Sequence, residues 1–325
     1  MEHTRRRFIG ATSIAFVIGA PLAARAQEYP NKPLRLVIPY PGGGGTDVVG
    51  RLLADKLRVR LGQPIIVDNR PGAATIVGAN FVAKAPPDGY TIMVHTSAFT
   101  SSPALVKAMP YDTMKDIAPI GSLAKLLICL AMDPSLPVQT FPELVAYMKA
   151  NPGKLNYASS GIGSSNHLAM ESLLRAAGIT ATHVPYKGAG AVYPDLMSGR
   201  VHLLLDQLVT AATYVRSGKL RAVALTSSAR SNLWPGMPTV AETVPGYSYE
   251  PWIAVFGPGG LPAPIVGRLN REINSILTDD PDVRQRMDQL SLEAQPGSPE
   301  QLADIVRKDL VMWRETAKAA GVEPE

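Results

Sequence analysis

Short apolar runs of the strand type alternate with helix-type segments along most of this 325-residue chain. This alternation limits the possible fold more than any other feature of the sequence. Leu34–Ile38 is a typical apolar run, and it is followed by a segment with apolar residues at helical spacing, in which Asp47 is placed to start the helix. Strands that alternate with helices favour a largely parallel sheet. The sequence therefore predicts an α/β protein.

Two extended segments are longer than the other predicted strands. The first covers 117–132 with a break at Gly121, and the second covers Tyr249–Phe256. A segment of this length can pass from one domain into another, and two such crossings form a hinge with a cleft between two lobes. The expected units are lobe 1, residues 27–124 and 252–325, and lobe 2, residues 125–251.

The first 26 residues have the composition of an export signal. Arginines at positions 5–7 precede Phe8, a short apolar run follows, and Ala24-Arg25-Ala26 fits a small-x-small cleavage site. The arginine pair favours the twin-arginine export route. The alternative is a short membrane anchor, but the apolar run is shorter than the ~20 residues of a spanning helix. We therefore expect residues 1–26 to be cleaved and the mature protein to be periplasmic.

Charge and cysteine content exclude several classes of function. Four arginines and one glutamate lie in residues 1–26, which leaves 28 basic and 26 acidic residues and a net charge of +2. No basic stripe remains for nucleic acid. Cys129 is the only cysteine, and its apolar neighbours indicate a core residue. The histidines lack metal-site spacing, so we expect neither a metal nor a cofactor.

Two loops between a predicted strand and a predicted helix are candidate anion sites. Pro41–Asp47 is rich in glycine, and Ser159–Ser165 is rich in serine and glycine. Glycine lets the backbone approach a ligand, and a helix N-terminus offers unpaired N–H groups and a positive dipole end. The first loop has neither the third glycine nor the lysine of a nucleotide motif. One loop in each lobe suggests a ligand whose carboxylates are held from both sides.

Three polar positions at strand ends are further candidates. Asp206 ends an apolar strand, where it can accept a hydrogen bond from a ligand or cap a neighbouring loop, and Thr96 and Ser97 follow another strand. Ser164, His167 and Asp206 also supply the residue types of a catalytic triad. A nucleophile elbow is missing, however, so we expect no enzyme and keep an exported hydrolase as a remote alternative.

Several motifs together resemble the Bug receptors, which are the periplasmic solute-binding proteins of tripartite tricarboxylate transporters. The resemblance extends over essentially the whole mature chain. The motifs that carry it are Tyr29-Pro30, Pro41–Asp47, Asn69–Ala73, Ala85–Thr91, Pro110–Asp112, Pro152–Ser159, His183–Gly188, Gly218–Ala222 and Pro238–Glu242.

The resemblance implies a two-lobed, type II periplasmic-binding (Venus flytrap) fold with two hinge strands, which closes on a small organic carboxylate. It also implies a membrane permease as the partner and a monomer in solution. A ligand-sensing receptor that feeds a sensor kinase is the alternative with the same fold. The expected ligand-binding residues are Tyr40, Gly43, Gly44, Thr46, Asp47, Thr96, Ser97, Ser160, Gly163, Ser164, Ser165, His167 and Asp206.

Overall fold

The computed structural model describes residues 29–324, so the predicted signal segment lies outside the described residues. Within this range the strands form two separate sheets, one of six strands and one of five. We call the first sheet and its helices lobe 1, and the second sheet and its helices lobe 2. No helix within the range combines the length and the apolar character that a membrane crossing requires.

The sheet of lobe 1 is built from both ends of the chain. Its strand order is β11-β4-β10-β3-β1-β2, and β1 is parallel to both of its neighbours. The strands are β1 (Leu34–Ile38), β2 (Ile65–Asn69), β3 (Thr91–Thr96), β4 (Ile117–Leu126), β10 (Trp252–Pro258) and β11 (Leu292–Ala294).

The sheet of lobe 2 is formed by the central part of the chain. Its strand order is β7-β6-β8-β5-β9, and β6 is parallel to both of its neighbours. The strands are β5 (Ile128–Met132), β6 (Asn156–Ser159), β7 (Thr182–Pro185), β8 (Leu203–Gln207) and β9 (Arg221–Leu225).

Helices follow most of the strands. Their ends fit the local sequence, since Gly62 and Gly178 end two of them with a left-handed backbone that favours glycine. They are α1 (Gly45–Leu61), α2 (Ile76–Ala83), α3 (Ala98–Leu105), α4 (Phe141–Ala150), α5 (Ser165–Ala177), α6 (Tyr193–Met197), α7 (Leu208–Arg216), α8 (Ala263–Asp279), α9 (Pro281–Gln289) and α10 (Pro299–Ala319).

In lobe 1, successive side chains of a strand pack into two hydrophobic cores, one on each face of the sheet. Leu36 of β1 packs with Leu53 of α1, whereas its neighbour Val37 packs on the opposite face with Phe99 of α3. The sequence of a strand that is buried on both faces is a nearly continuous run of apolar residues. This burial explains why β1 has the bounds that the sequence predicts. Cys129 in β5 is fully buried, as predicted.

The expectation of largely parallel sheets is wrong. Among the described strands, four neighbouring pairs are parallel and five are antiparallel. The antiparallel pairs arise where the chain passes between lobes. Strand β10 returns from lobe 2 and inserts between β3 and β4, antiparallel to both. Strand β5 enters lobe 2 in the same manner, between β8 and β9.

The first crossing changes sheet at Leu127, whereas the predicted break at Gly121 is only a shift of register inside β4. Leu127 separates β4 in one sheet from β5 in the other. Gly121 lies inside β4, where a Cβ atom would come 2.9 Å from Nδ2 of Asn270 on α8. This nitrogen donates to the carbonyl oxygen of Ile120 at 2.9 Å. The glycine therefore permits close packing of a helix on the strand and does not end it.

Helix α10 packs against both lobes. Leu302 and Val306 in its first half belong to a lobe 1 core, and Trp313 in its second half belongs to the main core of lobe 2. The indole of Trp313 meets the ring of Tyr249 edge to face, with centroids 5.8 Å apart. The segment 252–325, expected to belong to lobe 1, thus contributes its last helix to both lobes.

Candidate functional site

A cavity of about 390 Å³ lies between the two lobes, at the ends of the crossing strands. Both lobes and both crossings contribute to its wall. The lining residues are Tyr40, Gly45, Thr46, Thr96, Ser97, Ala98, Leu126, Ile128, Ser160, Ser165, Asn166, Leu205, Asp206, Gln207, Val209, Tyr249, Pro251, Ile253, Leu290 and Leu292.

Four helices begin at this cavity, two from each lobe. In lobe 1, Gly45 and Thr46 open α1 and Ala98 opens α3; in lobe 2, Ser165 opens α5 and Gln207 precedes α7. The first turn of a helix has N–H groups without intrahelical partners, and its dipole is positive at that end. The cavity is therefore surrounded by backbone donors that favour an anion.

The same four helices have no side-chain cap. The residues at their N-cap positions, Gly44, Ser97, Ser164 and Gln207, accept no capping hydrogen bond from the helix. Of the six described helices whose N-termini lie away from the cavity, α4, α9 and α10 are capped by a threonine, an aspartate and a serine, whereas α2, α6 and α8 have no side-chain cap. The N-cap side chains thus leave the first-turn donors free at the cavity, although the N–H groups of Ala98 and Leu208 already donate to the Thr96 hydroxyl and to the carbonyl oxygen of Leu127.

Within residues 29–324 the wall of the cavity contains one charged side chain, Asp206, and no lysine or arginine. Its Oδ2 accepts from the Tyr193 hydroxyl at 2.6 Å, and its Oδ1 accepts from the Gln207 N–H at 2.8 Å. Burial raises the pKa of Asp206, although these two hydrogen bonds act in the opposite direction. Positive potential in the cavity must therefore come from backbone dipoles.

The glycine-rich loop is fixed by Asp47, which lies in the first turn of α1 and is buried. Its Oδ2 accepts from the N–H of Gly43 at 2.8 Å and from Nε of Arg51 at 2.9 Å. Its Oδ1 accepts from Nδ2 of Asn69 at 2.9 Å. The hydrogen bond from Arg51 is the main reason why the pKa of Asp47 is lowered to about 2. Asp47 thus anchors the loop from the first turn of α1, which begins at Gly45 and not at Asp47 as the sequence predicts.

The serine-rich loop is held by a network around Asn166. The Oδ1 atom of Asn166 accepts from the Ser160 hydroxyl at 3.0 Å and from the Ser164 hydroxyl at 2.7 Å. Ser164 is also 2.6 Å from the carbonyl oxygen of Gly161. On the side of the loop away from the cavity, the N–H of Gly163 donates to Nδ1 of His167 at 3.0 Å.

Tyr40 and Thr96 form a polar pair on the lobe 1 side. The two hydroxyl oxygens are 2.6 Å apart, and the N–H of Ala98 donates to the Thr96 hydroxyl at 3.2 Å. Burial raises the pKa of Tyr40 to about 12, so the phenol keeps its proton and can donate. This pair offers hydroxyl groups to a ligand without adding charge.

The structure brings seven of the predicted site residues together in the cavity wall and places six elsewhere. Those that line it are Tyr40, Thr46, Thr96, Ser97, Ser160, Ser165 and Asp206. Those that do not are Gly43, Gly44, Asp47, Gly163, Ser164 and His167. In the second group, the N–H groups of Gly43 and Gly163 already donate to Asp47 and His167.

Sequence reasoning missed much of the apolar wall. Leu126, Tyr249 and Pro251 belong to the two crossings, so a cleft at the hinge could have pointed to them. Leu290 and Leu292 flank the turn between α9 and β11, and no local pattern indicates that this turn reaches the cleft.

The residue types of a serine-protease triad are not arranged as one. Nδ1 of His167 already accepts the N–H of Gly163. The carboxylate of Asp206 already accepts from the Tyr193 hydroxyl and from the N–H of Gln207. Across the described part of the chain, Ser164, His167 and Asp206 share no hydrogen bond with one another, which a relay of protons would require. The same residues 29–324 contain no group of three or more His, Cys, Asp or Glu residues suited to a metal ion.

Comparison with known protein families identifies the chain. Residues 49–322 match the model of the tripartite tricarboxylate transporter family receptor, TctC. The chain belongs to this family. It is 33% identical over 311 residues to protein BugT of Bordetella pertussis, which covers 94% of each chain. Recognition of the Bug receptors from sequence motifs is thereby confirmed, and the TctC family is one of receptors, not enzymes.

Solved structures confirm the predicted periplasmic-binding fold. Rpa4515 of Rhodopseudomonas palustris, solved with adipate, is 34% identical to this TctC-family chain with a TM-score of 0.74, and the match covers 92% of this chain and 100% of that one. MatC of the same organism, solved with bound malate, is 32% identical with a TM-score of 0.69 and coverages of 89% and 99%. Both relatives bind small carboxylates.

Proposed function

We propose that this protein is a periplasmic receptor that captures a small organic carboxylate between its lobes and delivers it to a membrane permease of the tripartite tricarboxylate type. The observation that carries the proposal is the meeting of four uncapped helix N-termini, two from each lobe, at one cavity without a basic side chain. Donors of this kind complement a carboxylate. The carboxylates bound by two relatives support the same ligand class.

Closure of the lobes would complete such a site. Each lobe supplies two of the four helix N-termini, so a carboxylate gains all of its donors only when the lobes approach each other. Removal of water then strengthens each hydrogen bond. We place the hinge at Leu127 and near Pro251, where the N–H of Leu126 donates to the carbonyl oxygen of Pro251 at 2.7 Å. We propose that the receptor acts as a monomer.

A thermal-shift screen of residues 27–325 tests the ligand class. The panel contains citrate, succinate, malate, adipate, aspartate, glutamate, nicotinate, benzoate and terephthalate. A ligand at 100 times its Kd should stabilise the fold by ~2.7 kcal/mol, which raises Tm by a few degrees. If no compound shifts Tm and mass spectrometry shows that the purified protein holds no small molecule, the carboxylate proposal is wrong.

Substitution of Thr46 by valine should weaken binding of the identified carboxylate by ~5-fold or more. Thr46 lines the cavity in the first turn of α1, and valine keeps its shape but removes the hydroxyl. Thr213 is an exposed residue of α7, so Thr213→Val is the matched control. Isothermal titration calorimetry measures both, and equal loss of affinity in the two variants would argue against a site at the cavity.

The carboxylate of Asp206 should select ligands that carry a hydroxyl or an ammonium group. Malate and succinate differ by one hydroxyl, so the ratio of their Kd values isolates this contact. We expect the native protein to prefer malate, because the buried carboxylate of Asp206 can accept a hydrogen bond from the hydroxyl group that succinate lacks. Asp206→Asn should reduce the preference by ~10-fold. A ratio that does not change in the variant would exclude Asp206 from ligand selection.

A further inference from the structure

A stack of three aromatic rings lies behind the serine-rich loop in lobe 2. The ring of His183 on β7 is 3.9 Å from that of His167 on α5 and 4.9 Å from that of Tyr157 on β6, measured between centroids. His167 is only 5% exposed. None of the three residues lines the cavity, so the stack supports the loop from its far side.

Both histidines hold the loop through hydrogen bonds. Nδ1 of His167 is 3.0 Å from the N–H of Gly163, and Nε2 of His183 is 2.6 Å from the hydroxyl of Ser159. Ser159 in turn accepts from the N–H of Gly161 at 3.1 Å. The imidazoles thus fix the loop at its start and at its last turn before α5.

The two hydrogen bonds differ in their response to protonation. A backbone N–H can only donate, so Nδ1 of His167 must be unprotonated to accept from Gly163. The Ser159 hydroxyl can either donate or accept, so it tolerates both states of His183. Protonation of His167 would place two N–H groups against each other, and it would put a positive charge beside the His183 ring.

The surroundings of His167 favour its neutral form. Burial lowers the pKa of His167 below its usual value of 6.5, and the carboxylate of Glu171 on the same helix opposes this effect. The Tyr157 hydroxyl on β6 donates to Glu171, and His183 is the facing group on β7. The end of α10 contributes Thr316 and Ala319 beside Glu171, and neither residue carries a charge. The neutral state therefore prevails at neutral pH and is lost as the pH falls.

We infer that His167 is a positioning residue which holds the serine-rich loop only while its imidazole is neutral, so that acidification releases the loop and weakens ligand capture. This inference rests on the proposed binding role of the loop. Sequence reasoning took His167 for a ligand contact, but its hydrogen bond acts on Gly163, through which it positions the loop whose residues Ser160 and Ser165 line the cavity. The receptor would then bind well at neutral pH and poorly in acid.

Hydrogen exchange of the Gly163 amide tests this role without any ligand. In 15N-glycine-labelled protein, we expect the protection factor of this amide to fall at least ~10-fold between pH 7.5 and the acidic pH at which the ring NMR signal of His167 shows that the imidazole is protonated. His167→Asn places an amide oxygen, which does not titrate, near the position of Nδ1. Protection in this variant should vary less than ~2-fold over the same range.

His202→Asn is the control, because it removes another partly buried histidine that is hydrogen-bonded to β6, but at its other end, where Nδ1 of His202 lies 2.7 Å from Oδ1 of Asn156. This variant should lose Gly163 protection in acid as the native protein does. Constant protection in the native protein, or an equal loss in His167→Asn, would overturn the inference. A ligand screen without a hit would instead contradict the proposed function. Failure of the inference about His167 and failure of the proposed function are therefore distinguishable.

Discussion

Replacement of Trp313 by alanine is expected to lower the free energy of unfolding by ~3–5 kcal/mol. Trp313 is 2% exposed and holds α10 in the main core of lobe 2, against which the partly buried Met312 of the same helix also packs. Its removal leaves a cavity between α10 and the Tyr249 ring and detaches the C-terminal helix from lobe 2. Urea unfolding followed by circular dichroism measures the change.

Two variants separate packing from polarity at this position. The indole Nε1 of Trp313 is buried without a hydrogen-bond partner in residues 29–324, so Trp313→Phe loses volume but no hydrogen bond. We expect this variant to cost ~1–2 kcal/mol. Trp234 is half-buried on lobe 2, and Trp234→Ala should cost less than Trp313→Ala. A cost below ~1 kcal/mol for Trp313→Ala would contradict the packing of α10 on lobe 2.

Replacement of Asp47 by alanine is expected to cost ~3 kcal/mol, because three donors lose their common acceptor. The side chain of Asp47 is 4% exposed, so water cannot fully replace the carboxylate. The glycine-rich loop should also become less protected from hydrogen exchange at Gly43. Asp55 is exposed on the same helix, and Asp55→Ala should change stability by less than ~0.5 kcal/mol.

The pH dependence of stability provides an independent check on Asp47. Its pKa is lower in the folded protein than the usual 3.8, so the unfolded state binds the proton first. The contribution of Asp47, ~2 kcal/mol, is present above pH 4 and is lost as the pH falls toward 2. Urea unfolding at pH 5 and pH 3 should therefore show a smaller loss for Asp47→Ala than for the native protein. Equal losses would show that Asp47 is not the group responsible.

Local patterns predict the elements of this fold well. The bounds of β1 match the predicted Leu34–Ile38, since a continuous apolar run leaves little ambiguity. The two crossings are also found where long extended runs predict them, although the first changes sheet at Leu127. The direction of the strands could not be predicted in this way, because the antiparallel insertion of β5 and β10 depends on how the chain passes between the lobes.

The candidate site could be predicted only in part, for a physical reason. A loop sequence indicates which residues are near a ligand. It does not indicate which side chains face the ligand and which ones hold the loop backbone from the opposite side. Thr46 and Asp47 are neighbours, yet one lines the cavity and the other anchors the backbone from behind. In the same way, Ser165 lines the cavity, whereas His167 holds the loop backbone from behind. Only tertiary contacts make this distinction.

The lack of lysine and arginine in the described wall of the cavity also bears on the rate of ligand capture. Side-chain charges attract ions over distances of about 10 Å, and dissolved salt screens that attraction. Helix N-termini act mainly on a group that is already in contact with them. Such a receptor would gain little from electrostatic steering, and its association rate would depend little on ionic strength. A binding protein built in this way keeps a similar rate of ligand capture when the salt concentration of its surroundings changes.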